Sequence, residues 1–358
     1  MKLESLKQIK RVFSEICYFK RLLKQYGEYL LPGRYFLYPT LRAIVADNPA
    51  SKEKAKPYFD KKTSVSKSAK LILKANQFGF FRNKKGGDLE KFEAIYSANN
   101  YDAVREIKLF SFERKEILTV CTCAEACQRQ LQEYDALHEV FGMPRVSGYD
   151  ALDNAYKICM VTLVPRISDV CALENISQCI SAYGAAHPAE KADVSVSQLM
   201  EFSYSCSEFD DLLNKLVQKC DLDGIPAEVP LCFQHGDLSR DNLIYGDSDG
   251  KTDFWWIDFE HADARVFFYD YFFYILNTAL YYSDTSALDA YFTGVCDEHL
   301  KVYFSQFGWQ YDPALRRDYF MIFAIAFLKE RVCDLGNLAA LRMYCDFINK
   351  TVLDKEWN

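Results

Sequence analysis

The chain has 358 residues, of which 50% are hydrophobic and 26% are charged, and its formal net charge is −7. This length predicts two lobes or domains, and the composition is that of a globular protein. The negative net charge argues against a broad nucleic-acid-binding surface, so we expect no nucleic-acid partner. The 13 cysteines lie in apolar segments and no export signal precedes them, which favours reduced thiols and a cytoplasmic location.

The first predicted element is an amphipathic helix over residues 2–24, with apolar residues at three- and four-residue steps and a strongly basic remainder. Two interpretations are open. Either the apolar face packs on its own protein, or the helix makes peripheral contact with an anionic membrane, such as the cytoplasmic face of the inner membrane. We assign residues 1–60 to an N-terminal helical extension. Residues 47–68 are rich in Lys, Ser and Pro and predict a linker or loop.

Strand-like segments dominate from about residue 69 to 122. They read AKLILKA, FEAIYSA, REIKLFSF and EILTVCT, and polar turns separate them. Residues 124–141 predict a helix and residues 157–164 another buried strand. We therefore expect an α+β chain with two lobes, a small β-rich lobe over 61–165 and a larger, mainly helical lobe over 166–358.

One short loop groups side chains that could carry chemistry, in the segment QHGDLSRDNLIY. Asn242 follows Asp237 by five positions, and Asp258 ends the apolar segment FWWID further along the chain. Phosphoryl transfer needs a carboxylate that orients the attacking hydroxyl and accepts its proton. It also needs oxygen ligands that hold Mg²⁺ against nucleotide phosphates. The alternative interpretation of the loop is an ordinary turn with Asx caps.

The motif HGDLSRDN resembles the catalytic-loop motif H-x-D-L-x-x-x-N of the protein-kinase-like superfamily. The glycine after the histidine, where protein kinases place arginine, is similar to the aminoglycoside phosphotransferase and choline kinase group. WWIDFEHA resembles the magnesium-binding segment of that group. The resemblance implies a two-lobed kinase-like fold with ATP and Mg²⁺ in the cleft between the lobes. It implies Asp237 as the catalytic base, Asn242 and Asp258 as magnesium ligands, and His235 and Asp270 as supporting residues.

The resemblance also requires a strand lysine for the nucleotide phosphates and a helix glutamate that orients it. Glu133 is the helix candidate. Lys108 is the lysine candidate, although the strand EILTVCT lies between it and that helix, and Lys115 is an alternative. Gly86 and Gly87 could present backbone amides to phosphates, or they could form only a hairpin turn.

The expected function is therefore ATP- and Mg²⁺-dependent phosphorylation of a hydroxyl group on a small molecule. Our preferred acceptor is a sugar of a bacterial surface glycan, in lipopolysaccharide or capsular polysaccharide biosynthesis. This choice rests on analogy with sugar kinases of the superfamily and on the basic N-terminal helix. A choline- or aminoglycoside-type kinase is one alternative. A pseudokinase that serves as a nucleotide-binding scaffold is another, because the usual strand offers no clear lysine.

Overall fold

A computed structural model describes residues 3–38, 42–59, 81–85, 91–97, 106–149, 154–187, 192–204, 207–333 and 336–357. Gly86, Gly87 and the segment AKLILKA lie outside these residues. The chain divides into two units. The first consists of Met1–His138, Met143–Val164 and Gly246–Asp253, and the second of Glu139–Gly142, Pro165–Tyr245 and Phe254–Asn358. The proposed boundary at 165/166 and the separate extension over 1–60 stay predictions.

Eight antiparallel strands form the main sheet of the first unit, in the order β3-β1-β2-β4-β5-β6-β8-β7. The strands are Gly33–Leu37 (β1), Ala43–Ala46 (β2), Arg82–Asn83 (β3), Ala94–Ser97 (β4), Ile107–Ser111 (β5), Glu116–Val120 (β6), Val146–Tyr149 (β7) and Ala155–Cys159 (β8). β-branched and aromatic residues fill these segments, as expected for a half-buried pleated surface. The predicted strand over 157–164 is interrupted, since Thr162–Leu163 (β9) pairs with Gly246 and Asp247 instead.

Within the described part of this unit, three α-helices accompany the sheet: Leu3–Tyr26 (α1), Pro49–Phe59 (α2) and Ala124–Phe141 (α3). The apolar face of α1 packs on the protein itself, because Val12, Ile16 and Phe19 share one buried cluster with Ile95 and Leu109 of the sheet. This is the first of the two interpretations that the sequence left open. A 3₁₀ turn, Gly27–Tyr29, follows α1.

The linker predicted over 47–68 is wrong for Pro49–Phe59, which is helical. The Asn48 side chain accepts a hydrogen bond of 2.8 Å from the Ser51 N–H and so satisfies the start of the helix. Ala55 and Phe59 are buried in a second apolar cluster. The Lys- and Ser-rich composition of the segment concealed this narrow apolar face.

Helices dominate the second unit. They are Asp169–Ala186 (α4), Val196–Met200 (α5), Ser207–Val217 (α6), Tyr269–Tyr281 (α7), Ser286–Phe292 (α8), Asp297–Gln306 (α9), Arg316–Leu328 (α10) and Leu338–Ile348 (α11). A 3₁₀ turn, Pro313–Leu315, precedes α10, and π-helical turns, Lys329–Cys333 and Asn349–Leu353, follow α10 and α11.

Ala192–Ser195 (β10), Glu228–Gln234 (β11) and Asp263–Val266 (β14) form a sheet in the order β10-β11-β14. Leu243–Ser248 (β12) and Lys251–Trp256 (β13) complete the strands. Helix α7 is apolar on all sides and almost wholly buried, which makes it a core helix of this unit. A β-rich first unit and a mainly helical second unit confirm the predicted α+β class. Among the described residues, no helix combines the length and hydropathy that crossing a bilayer requires.

Helix α1 has one buried and one exposed phenylalanine, and its packing predicts that their replacement by alanine changes the free energy of unfolding by different amounts. Phe19 is 0% exposed and Phe13 is 54% exposed. We expect Phe19→Ala to lower the free energy of unfolding by about 3–5 kcal/mol, because it leaves a cavity in the core. Phe13→Ala should change it by no more than about 0.5 kcal/mol. Urea unfolding of both variants measures the difference, and equally small losses would contradict the burial of this helix face.

Candidate active site

The turn that carries Asp237 is held by a buried carboxylate. Asp270, in the first turn of α7, is 0% exposed and accepts backbone N–H bonds from His235 at 2.5 Å and Gly236 at 2.9 Å. The Asp270 N–H in turn donates to the Gln234 side chain at 2.9 Å. Burial raises the pKa of Asp270 to about 7, although the two N–H groups lower it. Asp270 therefore fixes the backbone that leads into the loop.

His235 connects the same loop to the end of β13. Its ring Nε2 lies 2.8 Å from the carbonyl oxygen of Ile257, and its Nδ1 lies 3.3 Å from the backbone nitrogen of Asp237. Because a carbonyl only accepts, Nε2 carries the hydrogen and Nδ1 accepts from the Asp237 N–H. Burial lowers the pKa of His235 to about 4, so the ring is neutral near neutral pH.

Gly236 occupies a position that admits no side chain. Its φ is +79°, and a Cβ there would lie 2.3 Å from the His261 carbonyl oxygen and 2.6 Å from Nη1 of Arg265. Both the backbone conformation and the close approach require glycine. The glycine of the motif is therefore explained by crowding under the turn.

Hydrogen bonds to the backbone connect the segments that carry Asp237, Asn242 and Asp258, the three residues predicted to take part in the reaction. The Asn242 amide Nδ2 donates to the Asp237 carbonyl oxygen at 2.8 Å and lies 3.4 Å from its carboxylate Oδ2. The Ile257 N–H donates to the Asn242 carbonyl oxygen at 3.0 Å, and Asp258 follows directly in a left-handed conformation with φ 70°. Burial raises the pKa of Asp237; Arg331 lowers it and the charge of Asp258 raises it. The loop thus brings Asp237 into electrostatic contact with Asp258.

The donor set fits a magnesium ion that is completed by phosphates. Since Nδ2 of Asn242 is occupied as a donor, its Oδ1 is the atom that can ligate a cation, together with the Asp258 carboxylate. Within the described ranges no group of three or more His, Cys, Asp or Glu side chains could hold a metal. Mg²⁺ needs no such group, because it commonly takes one or two protein oxygens and keeps water and phosphate as its other ligands.

Arg240 ties the loop to the start of α4 and to the segment that follows α7, a role that the sequence did not reveal. Its guanidinium donates to the Asp169 carboxylate at the start of α4 and to Asp284 at 2.5 Å after α7. It also lies over the Tyr282 ring at 5.3 Å. The Tyr274 hydroxyl donates to Asp169 at 2.6 Å. Only the arginine lies within the motif; its carboxylate partners are distant in sequence, and no local spacing points to them.

A cavity of about 840 Å³ opens beside Asp237 within the second unit. Its apolar wall includes Phe273 of α7 and Phe327 of α10, and its polar wall includes Asn277 and Arg331. This volume lies within the range of small-molecule pockets, and a few polar groups on an apolar wall are typical of such sites. None of these lining residues was a candidate in the sequence, because each lies in an ordinary helical segment.

The first unit holds the remaining candidates. Lys108 lies on β5, and its Nζ is 3.5 Å from the Glu106 carboxylate, with both side chains 20% exposed. Its cross-strand neighbour on β6 is Thr119, so the strand that directly precedes α3 presents threonine beside this lysine. Glu133 is exposed on α3, and Lys115 is exposed in the turn between β5 and β6 with φ 54°. The phosphate-binding roles of Lys108 and Glu133 stay predictions.

The space around Gly236 predicts a large effect of one added methyl group. Gly236→Ala should destabilise the second unit by about 3 kcal/mol or more, because it combines a disfavoured φ with overpacking. Gly250 is a matched control, since its φ is +80° and nothing lies within 4 Å of the added Cβ. Gly250→Ala should cost only about 1–2 kcal/mol. Thermal and urea unfolding compare the two variants, and similar losses would show that crowding at Gly236 is unimportant.

The chain was compared with known proteins. No family model and no curated protein matches it. Among solved structures it is similar to the GDP complex of aminoglycoside 2'-phosphotransferase-IIIa, with 12% identity, coverage of 72% of this chain and 92% of that chain, and a TM-score of 0.44. It is similar to a thermostable mutant of aminoglycoside phosphotransferase APH(4)-Ia, with 13% identity, coverage of 73% and 95%, and a TM-score of 0.41.

A third similar structure is a choline/ethanolamine kinase family protein from Mesorhizobium loti, with 13% identity, coverage of 71% of this chain and 84% of that chain, and a TM-score of 0.39.

Proposed function

We propose that this protein is an ATP- and Mg²⁺-dependent phosphotransferase that phosphorylates a hydroxyl group of a small molecule, with a sugar as the preferred acceptor. The observation that carries the proposal is the connection of Asp237, Asn242 and Asp258 through hydrogen-bonded backbone, beside a cavity of about 840 Å³. A base, two oxygen ligands and room for an acceptor are the parts that phosphoryl transfer requires.

Asp237 takes the role of the base. Its carboxylate faces the cavity, where it orients the acceptor hydroxyl and receives the proton as the oxygen attacks the γ-phosphorus. The new O–P bond forms while the bond from the γ-phosphorus to the bridging oxygen breaks, and ADP leaves. Burial raises the pKa of Asp237, which makes it a better proton acceptor than a fully solvated carboxylate. Its amide partner Asn242 keeps the base at a fixed position.

Asn242 and Asp258 would hold the magnesium ion. When bound, the ion neutralises the charge of the phosphates and fixes their orientation. Asp258 reaches this position because its left-handed backbone turns the chain just after the hydrogen bond from Ile257 to Asn242. Asp270 holds the backbone before Asp237, and His235 holds the backbone before Asp258, so both residues support the site without touching the substrates.

Both the identity of the acceptor and the location of the protein in the cell belong to the proposal. Assignment of the sugar to lipopolysaccharide or capsule stays a prediction from the sequence, as does the cytoplasmic location. A choline- or aminoglycoside-type acceptor and a pseudokinase scaffold are the alternatives. Peripheral membrane contact would have to use the exposed basic residues of α1, such as Lys10, Lys20, Arg21 and Lys24, because much of its apolar face is buried.

The roles of the carboxylates lead to a first test. Asp237→Asn should lower turnover about 100- to 10,000-fold while it leaves Mg²⁺-ATP binding intact, because it removes the base alone. Asp258→Ala should abolish the Mg²⁺-dependent thermal shift that ATP causes. Asp223→Asn, at an exposed aspartate, is the control. Nucleotide binding without turnover in the wild type, whatever the acceptor, would favour the scaffold over the enzyme.

The lysine assignment leads to a second test. We expect Lys108→Ala to raise the Kd for Mg²⁺-ATP about 10- to 100-fold, because it removes a cation that contacts phosphates. The ion pair at 3.5 Å supports Glu106 as the carboxylate that orients this lysine, as an alternative to Glu133, which the sequence predicts. Glu106→Gln should therefore weaken nucleotide binding, while Glu133→Gln should not. Calorimetry decides between them, and a loss caused only by Glu133→Gln would restore the helix glutamate to that role.

A further inference from the structure

Arg331 lines the cavity as a cation with uncommitted donors. Its Nη2 lies 3.9 Å from Oδ1 of Asp237, beyond hydrogen-bonding distance, and its side chain is only 23% exposed. Across the residues that the structure describes, none of its N–H donors makes a hydrogen bond. A guanidinium has five such donors in a rigid fork, which matches the two oxygens of a carboxylate or the oxygens of a phosphate.

The other partly buried arginines of the second unit differ from Arg331. Each of them donates to at least one carboxylate: Arg166 to Asp169, Arg240 to Asp169 and Asp284, Arg265 to Glu330, and Arg316 to Asp297. A carboxylate or phosphate group of a ligand in the cavity would give the donors of Arg331 the acceptors that these other arginines find within the protein. The exception therefore points to a bound anion in the cavity.

The turn that carries Arg331 is anchored on both of the preceding residues. Lys329 donates to the carbonyl oxygens of Leu199 at 2.9 Å and Glu201 at 2.6 Å. Glu330 accepts a two-pronged bond from Arg265, from Nε to Oε2 at 2.9 Å and from Nη2 to Oε1. These contacts fix the π-helical turn, so Arg331 is held in the cavity wall by its neighbours. Such turns are frequent at functional sites.

Arg331 forms an ion pair with Asp237 at 3.9 Å, while the other acidic groups of the cavity have partners elsewhere. The charge of Glu330 is already paired with Arg265, and Asp241 is hydrogen-bonded to the Tyr282 side chain. Asp237 is the remaining carboxylate near Arg331, and it is the group proposed to receive the acceptor's proton. A cationic acceptor such as an amino alcohol or an aminoglycoside would meet the like charge of Arg331 beside the reacting hydroxyl.

The rest of the lining suits a polyhydroxylated ring. The Asn277 amide faces the cavity and makes no hydrogen bond within the described part of the chain, so it can both donate to and accept from hydroxyls. The Tyr281 and Tyr344 hydroxyls pair at 2.8 Å on the same wall. Aromatic faces and an open amide bind the apolar and polar sides of such a ring.

We infer that the acceptor is an anionic sugar, whose carboxylate or phosphate group binds to Arg331 while a neighbouring hydroxyl faces Asp237. The inference rests on the proposed function and names the class of acceptor that this same site takes. Arg331 is thereby a specificity-determining residue. Its two-pronged bond to the oxyanion also sets which hydroxyl approaches the base.

The test uses the full chain and matched pairs of sugars. Initial rates of ADP release are measured at saturating Mg²⁺-ATP with galactose against galacturonate, glucose against glucuronate, and glucose against glucose 6-phosphate. The uronates and the sugar phosphate distinguish the two kinds of oxyanion. The variants are Arg331→Gln and Arg331→Lys. The lysine is the more conservative change, because it keeps the positive charge but cannot make the two-pronged bond of a guanidinium. Arg317→Gln, at an exposed arginine of α10, is the control.

We expect the wild type to prefer the anionic member of at least one pair. Arg331→Gln should raise the KM for that member about 10- to 100-fold and leave the KM for ATP unchanged, because it removes charge-assisted hydrogen bonds to the acceptor alone. The KM of Arg331→Lys for the anionic sugar should lie between those of the wild type and Arg331→Gln. Arg317→Gln should have the KM of the wild type.

Three results would overturn the inference. The first is a rate of ADP release with the anionic sugar that is equal to or below the rate with the neutral sugar in every pair. A complete absence of turnover with all of these sugars counts as this result. The second is an equal fall in kcat for both members in Arg331→Gln with both KM values unchanged, which would mean that Arg331 acts only on Asp237 and does not bind the acceptor. The third is a raised KM for ATP, which would place the nucleotide phosphates at Arg331. If ATP and Mg²⁺ cause no thermal shift of the wild type, the proposed function itself is refuted.

Discussion

The geometry of the candidate site depends on the buried carboxylate of Asp270. Two backbone N–H groups, from His235 and Gly236, meet its two oxygens, and without it both would be buried donors without partners. Through His235 the same support extends to Ile257, and from there to the segment with Asp258. A single acidic side chain in the core thus sets the distance between the base and the residues proposed to hold magnesium. This explains why the loop can be polar and yet well fixed.

Asp237 experiences opposing influences whose balance suits a base. Burial and the nearby Asp258 raise its pKa, while Arg331 lowers it. A solvated carboxylate would be a weak proton acceptor, and a fully desolvated one would hold a proton before the reaction. In the proposed reaction, the guanidinium of Arg331 would therefore act electrostatically on Asp237 in addition to contacting the acceptor. The two effects are separable, since the first acts on kcat and the second on KM.

The sequence predicted those parts of the protein whose causes are local. The group Asp237, Asn242 and Asp258 was recognisable because two members share one short loop and the third lies just after an apolar strand, β13. The helix over 124–141 has the predicted bounds, since its periodicity is strong. Arg240 and Arg331 could not be assigned, because their partners are distant in sequence and only the fold brings them near. The ion pair of Lys108 with Glu106 was not predicted either, although Glu106 directly precedes the strand that carries the lysine.

Gly236 has a consequence for the difference between this chain and protein kinases, which place arginine at the same point of the motif. Here the space that such a side chain would enter already contains the guanidinium of Arg265, which approaches from β14 and bonds to the His261 carbonyl oxygen at 3.0 Å. Any residue with a Cβ at 236 would therefore have to displace this guanidinium, so the glycine at 236 and the position of Arg265 depend on each other.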